Sequence, residues 1–329
     1  MVLILSRSDL EHVLNIREVI DVLEQAFKEY AMGKTIAPTR LSLLVQKYEG
    51  WLGIMPAYIE ELGALSTKLV TVYGKNPTMN KNLPTTMASI ILNDPETGQA
   101  LSFMDGGLIT AMRTGALGGL AAKILSRKDA RTVGIFGAGI QARTQILALE
   151  EVRDITLVRV FDPFTDRAKK FAREMNERTG IEFQVCDSSS DAVKESDIVV
   201  TVSTSKEPVF DGGLLREGTH INAFGNFKPT ERELDDECVR RSKVFVDQRE
   251  AALDEAGDLI IPIESGVITR EHVLAELGEL VIGSKNGRIH GSDITLFKSV
   301  GLGIQDCATA SLAYRRALET GRGTQISLD

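Results

Sequence analysis

Cysteine is scarce in this chain. Cys186, Cys238 and Cys307 are the only three in 329 residues, odd in number and without CxxC spacing. That excludes a disulfide framework and a cysteine-based zinc site, which need pairs or clusters. Buried free thiols in a reducing compartment are the expectation. Histidine is scarce too: His12, His220, His272 and His290 show no ligand spacing, so no metal site is expected. His12 and His272 fall on expected surface helices, and His220 opens an apolar strand as a structural group. Long apolar runs are missing. The start, MVLILSRSDLEHVL, has five apolar residues before charge appears, too few for the core of a signal peptide. No stretch reaches the roughly 20 apolar residues of a membrane span, so the expectation is a cytoplasmic protein with no membrane partner. There is also no basic run to offset a net charge of −8. An acidic surface repels phosphate backbones, which disfavours nucleic acid as a partner, while a few local cations can still hold a small anionic metabolite. GxSxG, HExxH and Walker motifs are absent from the sequence.

What is present is ordinary for a soluble globular chain: 43% hydrophobic and 26% charged residues. At 329 residues two domains are expected. Ser6 followed by Asp9 reads as a capping pair, and Asn15 opens a helix in which Ile16, Val19, Ile20, Leu23 and Phe27 recur at helical spacing before Gly33. From about 40 to 105 the pattern turns to short apolar or alternating runs (LSLLVQ, WLGIMPAY, LSTKLVTVY, MASIILND, ALSFMD), which predict a mostly antiparallel sheet. A helix of small residues, 107–125, follows. Its glycines cost helix propensity but permit close approach of another element or a ligand. From 131 the rhythm is strand, helix, strand. TVGIFG, ITLVRVFD, FQVCD and DIVVTVS alternate with helical stretches, with HINAFG and KVFVDQ as the last strands and a helix over about 305–320. That alternation predicts an α/β fold: a doubly wound parallel domain joined to an α+β domain.

The strongest motif is Gly137-Ala138-Gly139-Ile140-Gln141-Ala142, a G-x-G-x-x-A at the end of an apolar strand and the start of a helix. Gly137 suits the tight turn, Gly139 lets a pyrophosphate approach the backbone, and Ala142 lets helix and strand pack closely. The helix N-terminus then faces the anion. Asp162 ends the next strand, 25 residues after Gly137. That is close to the ~20 expected of the acid that binds ribose hydroxyls and repels a 2′-phosphate. This favours NAD(H), with Arg167 placed to soften the preference. Three cations stand among apolar neighbours in the first half: Arg40, Lys68 and Arg113. Buried cations need an anion, either a ligand's carboxylate or one from the protein itself.

Taken together, Arg40, Met55-Pro56, Lys68, LPTTMASIILNDPETG, Arg113-Thr114-Gly115-Ala116, GAGIQA, GTHINAFG, ELGELVIGSKNGR and SVGLGIQD resemble the ornithine cyclodeaminase/μ-crystallin family over essentially the whole chain. The resemblance implies a homodimer. It implies that residues 1–121 and 304–329 form the substrate-binding and dimerisation domain, and that 122–303 form a Rossmann domain for NAD(H). Arg40, Lys68 and Arg113 would surround the substrate carboxylate. Thr114, the backbone of Gly137, Gly139, Ile140, Gln141 and Ala142, and Asp162, Ser203 and Ser299 would lie on the dinucleotide. The family includes cyclodeaminases, alanine dehydrogenases and ketimine reductases. The cyclodeaminase and alanine dehydrogenase pattern has an Asp where this chain has Phe227, and the cyclodeaminases a Glu where it has Gly53. A second ammonium on the substrate needs such acids, and an apolar Phe suits an uncharged ring. The resemblance therefore points to the ketimine reductase branch. The implied reaction is reduction of Δ1-pyrroline-2-carboxylate to L-proline, or of Δ1-piperideine-2-carboxylate to L-pipecolate, with NADH, NADPH being the alternative cofactor. Lys68 would be the catalytic proton donor and Phe227 part of the substrate wall. Alanine dehydrogenase, ornithine cyclodeaminase and a non-catalytic binding protein are the alternatives. The retained Arg40, Lys68 and Arg113 count against the last.

Overall fold

The computed structural model describes residues 1–76, 79 and 83–327. The chain divides by its internal contacts into two units, Met1–Arg113 with Leu302–Asp329, and Thr114–Gly301. The boundaries implied by the resemblance lay at 121/122 and 303/304.

The first unit begins with β1 (Val2–Leu5), α1 (Arg7–Val13) and α2 (Ile16–Ala31). Ser6 and Asp9 form a reciprocal capping box on α1, and the Asn15 side chain accepts the Arg17 N–H at the start of α2. These local bonds satisfy backbone donors that a helix start leaves over. Next come β2 (Thr35–Ile36), β3 (Leu41–Val45), β4 (Gly50–Ile59), β5 (Ala64–Tyr73), β6 (Thr86–Asn93), β7 (Ala100–Asp105) and the start of α3 (Gly106–Leu125), which continues past Arg113 into the second unit. Strands β4 to β7 pair antiparallel in sequence order, as the alternating runs predict. From Gly53 to the end of β4 the buried positions are Gly53, Met55, Ala57 and Ile59, every second residue, so that face of the sheet is core.

The second unit contains β8 (Thr132–Phe136), α4 (Ile140–Glu150), β9 (Leu157–Phe161), α5 (Thr165–Thr179), β10 (Glu182–Val185), α6 (Ser189–Val193), β11 (Ile198–Thr201) and β12 (His220–Ala223). It continues with α7 (Asp236–Arg241), β13 (Lys243–Val246), α8 (Arg249–Glu255), α9 (Gly257–Glu264), β14 (Val273–Glu276), α10 (Leu277–Val281) and β15 (Thr295–Lys298). Its eight strands run in the order β10-β9-β8-β11-β12-β15-β13-β14, all parallel. The winding reverses between β8 and β11, the place where doubly wound sheets open a crevice for ligands. HINAFG and KVFVDQ are not the last strands: β14 and β15 follow, and β15 lies between β12 and β13. Each is four residues long, too short for periodicity to separate strand from helix. The chain closes with α11 (Gly303–Thr320), which packs on β4, β5 and α2 in the first unit, and β16 (Thr324–Ile326), which adds antiparallel to β1.

Two further expectations change. Helix α3 is, among the described residues, the one helix long and apolar enough to cross a membrane, but most of it is buried inside the protein. Its apolar length belongs to a core. His272 lies on a short 3-10 turn, and its Nε2 meets the Val239 carbonyl at 2.9 Å. His220 is fully buried between Thr295 and Asn222, and burial holds its imidazole down at about 3, so it stays neutral.

Candidate active site

In the first unit the site is built around a carboxylate the sequence reading missed. Lys68 stands mid-strand in β5, opposite Met55 of β4 and Ile90 of β6. Its Nζ donates to Asp306 Oδ2 at 2.5 Å, and Arg113 Nε donates to Asp306 Oδ1 at 3.2 Å. The neighbouring Gln305 accepts Arg113 Nη1 at 2.7 Å. Lys68, Arg113 and Asp306 are all buried. Both cations therefore meet an acid of the protein, one carboxylate for two positive charges. Burial lowers the Lys68 ammonium to about 8; repulsion from Arg113 and Arg40 adds to this, and Asp306 opposes it. Burial pushes the Asp306 carboxyl up, but the Arg113 and Lys68 charges outweigh that and hold it below its usual range. Arg40 lies close enough to act on Lys68 and adds a third positive charge. Lys68 and Arg113 share the single Asp306 carboxylate and so keep a net positive charge in a low-dielectric place, which suits a small carboxylate. SVGLGIQD does contain Asp306, but nothing in its spacing says that α11 carries it back to a strand 238 residues earlier.

In the second unit Gly137 adopts φ +100°, and a Cβ there would meet the Val202 carbonyl oxygen at 2.9 Å. A glycine is required for that turn. Gly139 caps α4, and a Cβ built on it meets nothing within 4 Å. The helix start is thus open, with Ile140 55% exposed beside it. Ala142 is fully buried, as close packing needs. Gln141 leaves its side-chain oxygen buried without a hydrogen-bond partner. Asp162 at the end of β9 accepts the Ala138 and Phe164 N–H groups, with Arg167 at 3.8 Å. An acid held beside the glycine turn, next to an open helix N-terminus, fits the ribose and pyrophosphate of a dinucleotide. The small residues after Arg113 serve helix packing: a Cβ on Gly115 would stand 2.5 Å from the Thr144 backbone of α4. The Thr114 carbonyl accepts Gln145 Nε2 at 3.1 Å.

Ser203 and Ser299 are held by two carboxylates that the sequence did not reveal. The Ser203 hydroxyl donates to Glu233 at 2.6 Å, and Glu233 also accepts the Gly225 N–H at 2.8 Å. The Ser299 hydroxyl donates to Asp247 at 2.6 Å, which accepts the Val300 and Gly301 N–H groups as well. Asp247 directly follows the buried run KVFV as Asp162 follows LVRVF, a shared signal that could have found it. Lys298 is buried against Asp258 at 2.7 Å and donates to the Asn226 carbonyl at 2.6 Å, anchoring the backbone just before Phe227. Phe227 itself is 36% exposed.

A parallel doubly wound unit with an open glycine turn, joined to a unit with a cationic carboxylate site, defines a two-domain α/β dehydrogenase-type protein. The chain belongs to the ornithine cyclodeaminase/mu-crystallin family, whose sequence profile matches residues 2–321. It is 38% identical over 325 residues to a Delta(1)-pyrroline-2-carboxylate reductase of Bacillus cereus, covering 98% of this chain and 99% of the relative. Among solved structures it is similar to Thermococcus litoralis Delta(1)-pyrroline-2-carboxylate reductase in complex with NADH and L-proline, at 50% identity and TM-score 0.96 over 98% and 100% of the two chains. An archaeal alanine dehydrogenase dimer with bound NAD follows at 39% identity and TM-score 0.93, over 100% and 99%.

Proposed function

We propose that this protein is an NADH-dependent reductase of cyclic imino acids, converting Δ1-pyrroline-2-carboxylate to L-proline and accepting the six-membered homologue Δ1-piperideine-2-carboxylate. The observation that carries the reading is the buried trio Lys68, Arg113 and Asp306 with Arg40 nearby, whose charges leave room for one substrate carboxylate. Arg113 and Arg40 hold the carboxylate. Lys68, lowered to about 8, remains mostly protonated at neutral pH and keeps a proton on the imine nitrogen, which makes the C=N bond a better hydride acceptor. Gly137, Gly139, Ile140, Gln141, Ala142 and Asp162 would hold NADH, with Thr114, Ser203 and Ser299 beside it; NADH when bound supplies the hydride, and NADPH is disfavoured by the Asp162 carboxylate. The 50% identity to the Thermococcus litoralis enzyme supports this choice. So does the apolar Phe227 where an acid would serve a diamino acid.

The archaeal alanine dehydrogenase likeness favours a second reading, reductive amination of pyruvate. Following NADH absorbance separates the two. Rapid oxidation with Δ1-pyrroline-2-carboxylate and no ammonia is expected. Oxidation only with pyruvate plus ammonia would make the protein an alanine dehydrogenase instead.

The same unit supports a homodimer. Register places Leu41, Leu43, Leu52, Ile54, Leu69, Met87 and Phe103 on the sheet face away from Lys68. Leu41 is 60% exposed and Leu43 49%. A broad apolar face of this kind marks an interface. Light scattering should give twice the 35.9 kDa chain mass. Leu69→Asp should shift the protein toward monomer; a monomeric parent would refute the interface.

A further inference from the structure

The face of the sheet that bears Lys68 has two unlike ends. Toward Ala57 and Ser66 it is sealed by α11: a Cβ on Gly303 would meet the Pro56 oxygen at 3.0 Å and the Ala57 Cβ at 3.3 Å. The Cys307 thiol also reaches the Ala57 carbonyl at 3.4 Å. Ala57 and Ser66 are 2% and 1% exposed. Toward the other end the strands open: Val72 and Ala88 are half-buried and Thr86 is exposed. In this unit, a ring whose carboxylate rests on the Lys68–Arg113 cluster is blocked toward Ala57 and Ser66, and the second direction along the strands is the more open one. The residues next along it are Gly53 with Val70, then Trp51 with Val72, paired across β4 and β5.

Trp51 does not stay in its own row. A Cβ on Gly53 would lie 2.3 Å from Trp51 Cη2 and 2.8 Å from Cζ2, so the indole lies over the glycine. It therefore occupies the place next to the Met55–Lys68 row. No side chain at 53 can share that space with the ring as it stands.

We propose that Trp51, folded over Gly53, is the residue that sets ring size in this site, an apolar stop one residue row beyond Lys68. The inference rests on the imino-acid reading above and adds to it the wall against which the ring ends. A stop of this kind acts on the methylenes of the substrate and leaves its carboxylate contacts alone. It also presents no acid to a second amino group.

Binding tests the wall without turnover. Pyrrole-2-carboxylate and pyridine-2-carboxylate, unreactive five- and six-membered ring carboxylates, are titrated by calorimetry into the parent protein and into Trp51→Ala, with and without NADH. The ratio of the two dissociation constants should move about tenfold or more toward the larger ring in the variant, the scale of one methylene in a fitted pocket. The kcat/KM ratio for the two imines should move the same way. Trp51→Phe should keep most of the parent's preference. A general folding defect would weaken both ligands alike and leave the ratio in place. Should Trp51→Ala fail to fold, Trp51→Leu truncates the ring while keeping apolar packing. An unmoved ratio overturns the proposal, and so does a parent that binds neither carboxylate. If the parent binds both rings but reduces neither imine, the activity reading falls, and the binding ratio alone decides the wall.

Discussion

Asp306→Asn should destabilise the protein by about 3–5 kcal/mol, because it leaves Lys68 and Arg113 as buried cations without their anion. Arg113 keeps its bond to Gln305, but an amide cannot offset its charge. A Tm drop of at least about 5 °C in thermal melting is expected for a loss of this size. Adding Lys68→Met to the same chain should recover part of the loss, since one of the two stranded charges is removed; the double-mutant cycle reads the coupling directly. An Asp306→Asn protein with the parent's Tm would show that the trio is hydrated and that its low-dielectric character has been misjudged.

Lys68→Met should lower kcat/KM for Δ1-pyrroline-2-carboxylate by about 10²–10⁴-fold, the range for a positioned proton donor. The pH profile supplies the sign. The protonated ammonium is the active form, and its folded value is about 8, below the usual lysine value because of burial first and the two arginines second. Activity of the free enzyme should therefore be level near neutrality and fall as pH rises through about 8. In Lys68→Met that alkaline limb should disappear. Asp306→Asn removes the one group that raises the lysine, so its limb should move to lower pH. A parent profile flat to pH 10, or a Lys68→Met enzyme with full kcat/KM, would take the proton-donor role away from this residue.

The interplay of these groups shows how far a linear reading reaches. Ser6, Asp9 and Asn15 were legible as helix starts because a cap is closed within three residues, by bonds between near neighbours. The glycine turn at Gly137 and the acid at Asp162 were legible for a related reason: a strand, a tight turn and a helix are contiguous, and the turn's backbone demands a residue type. The alternation of apolar strands and helices announced the parallel sheet, while the four-residue strands β14 and β15 escaped notice because four residues hold no period.

The anions of the site were not legible. Asp306, Glu233, Asp247 and Asp258 look like ordinary surface acids in sequence, yet all four are fully buried. Each is buried because a distant cation, hydroxyl or backbone N–H offsets its desolvation. That partner lies from a few dozen to more than two hundred residues away along the chain. The seat of Trp51 over Gly53 has the same character, since a rotamer is chosen by what surrounds it. By itself the sequence determined the class of fold, the glycine turn at Gly137 and which cations were candidates, because those follow from local backbone geometry and periodicity. Only the tertiary structure decided what faces Lys68 and Arg113 and that the Trp51 ring lies over Gly53. Coulombic pairing and steric contact depend on distance in space, and chain order does not encode it.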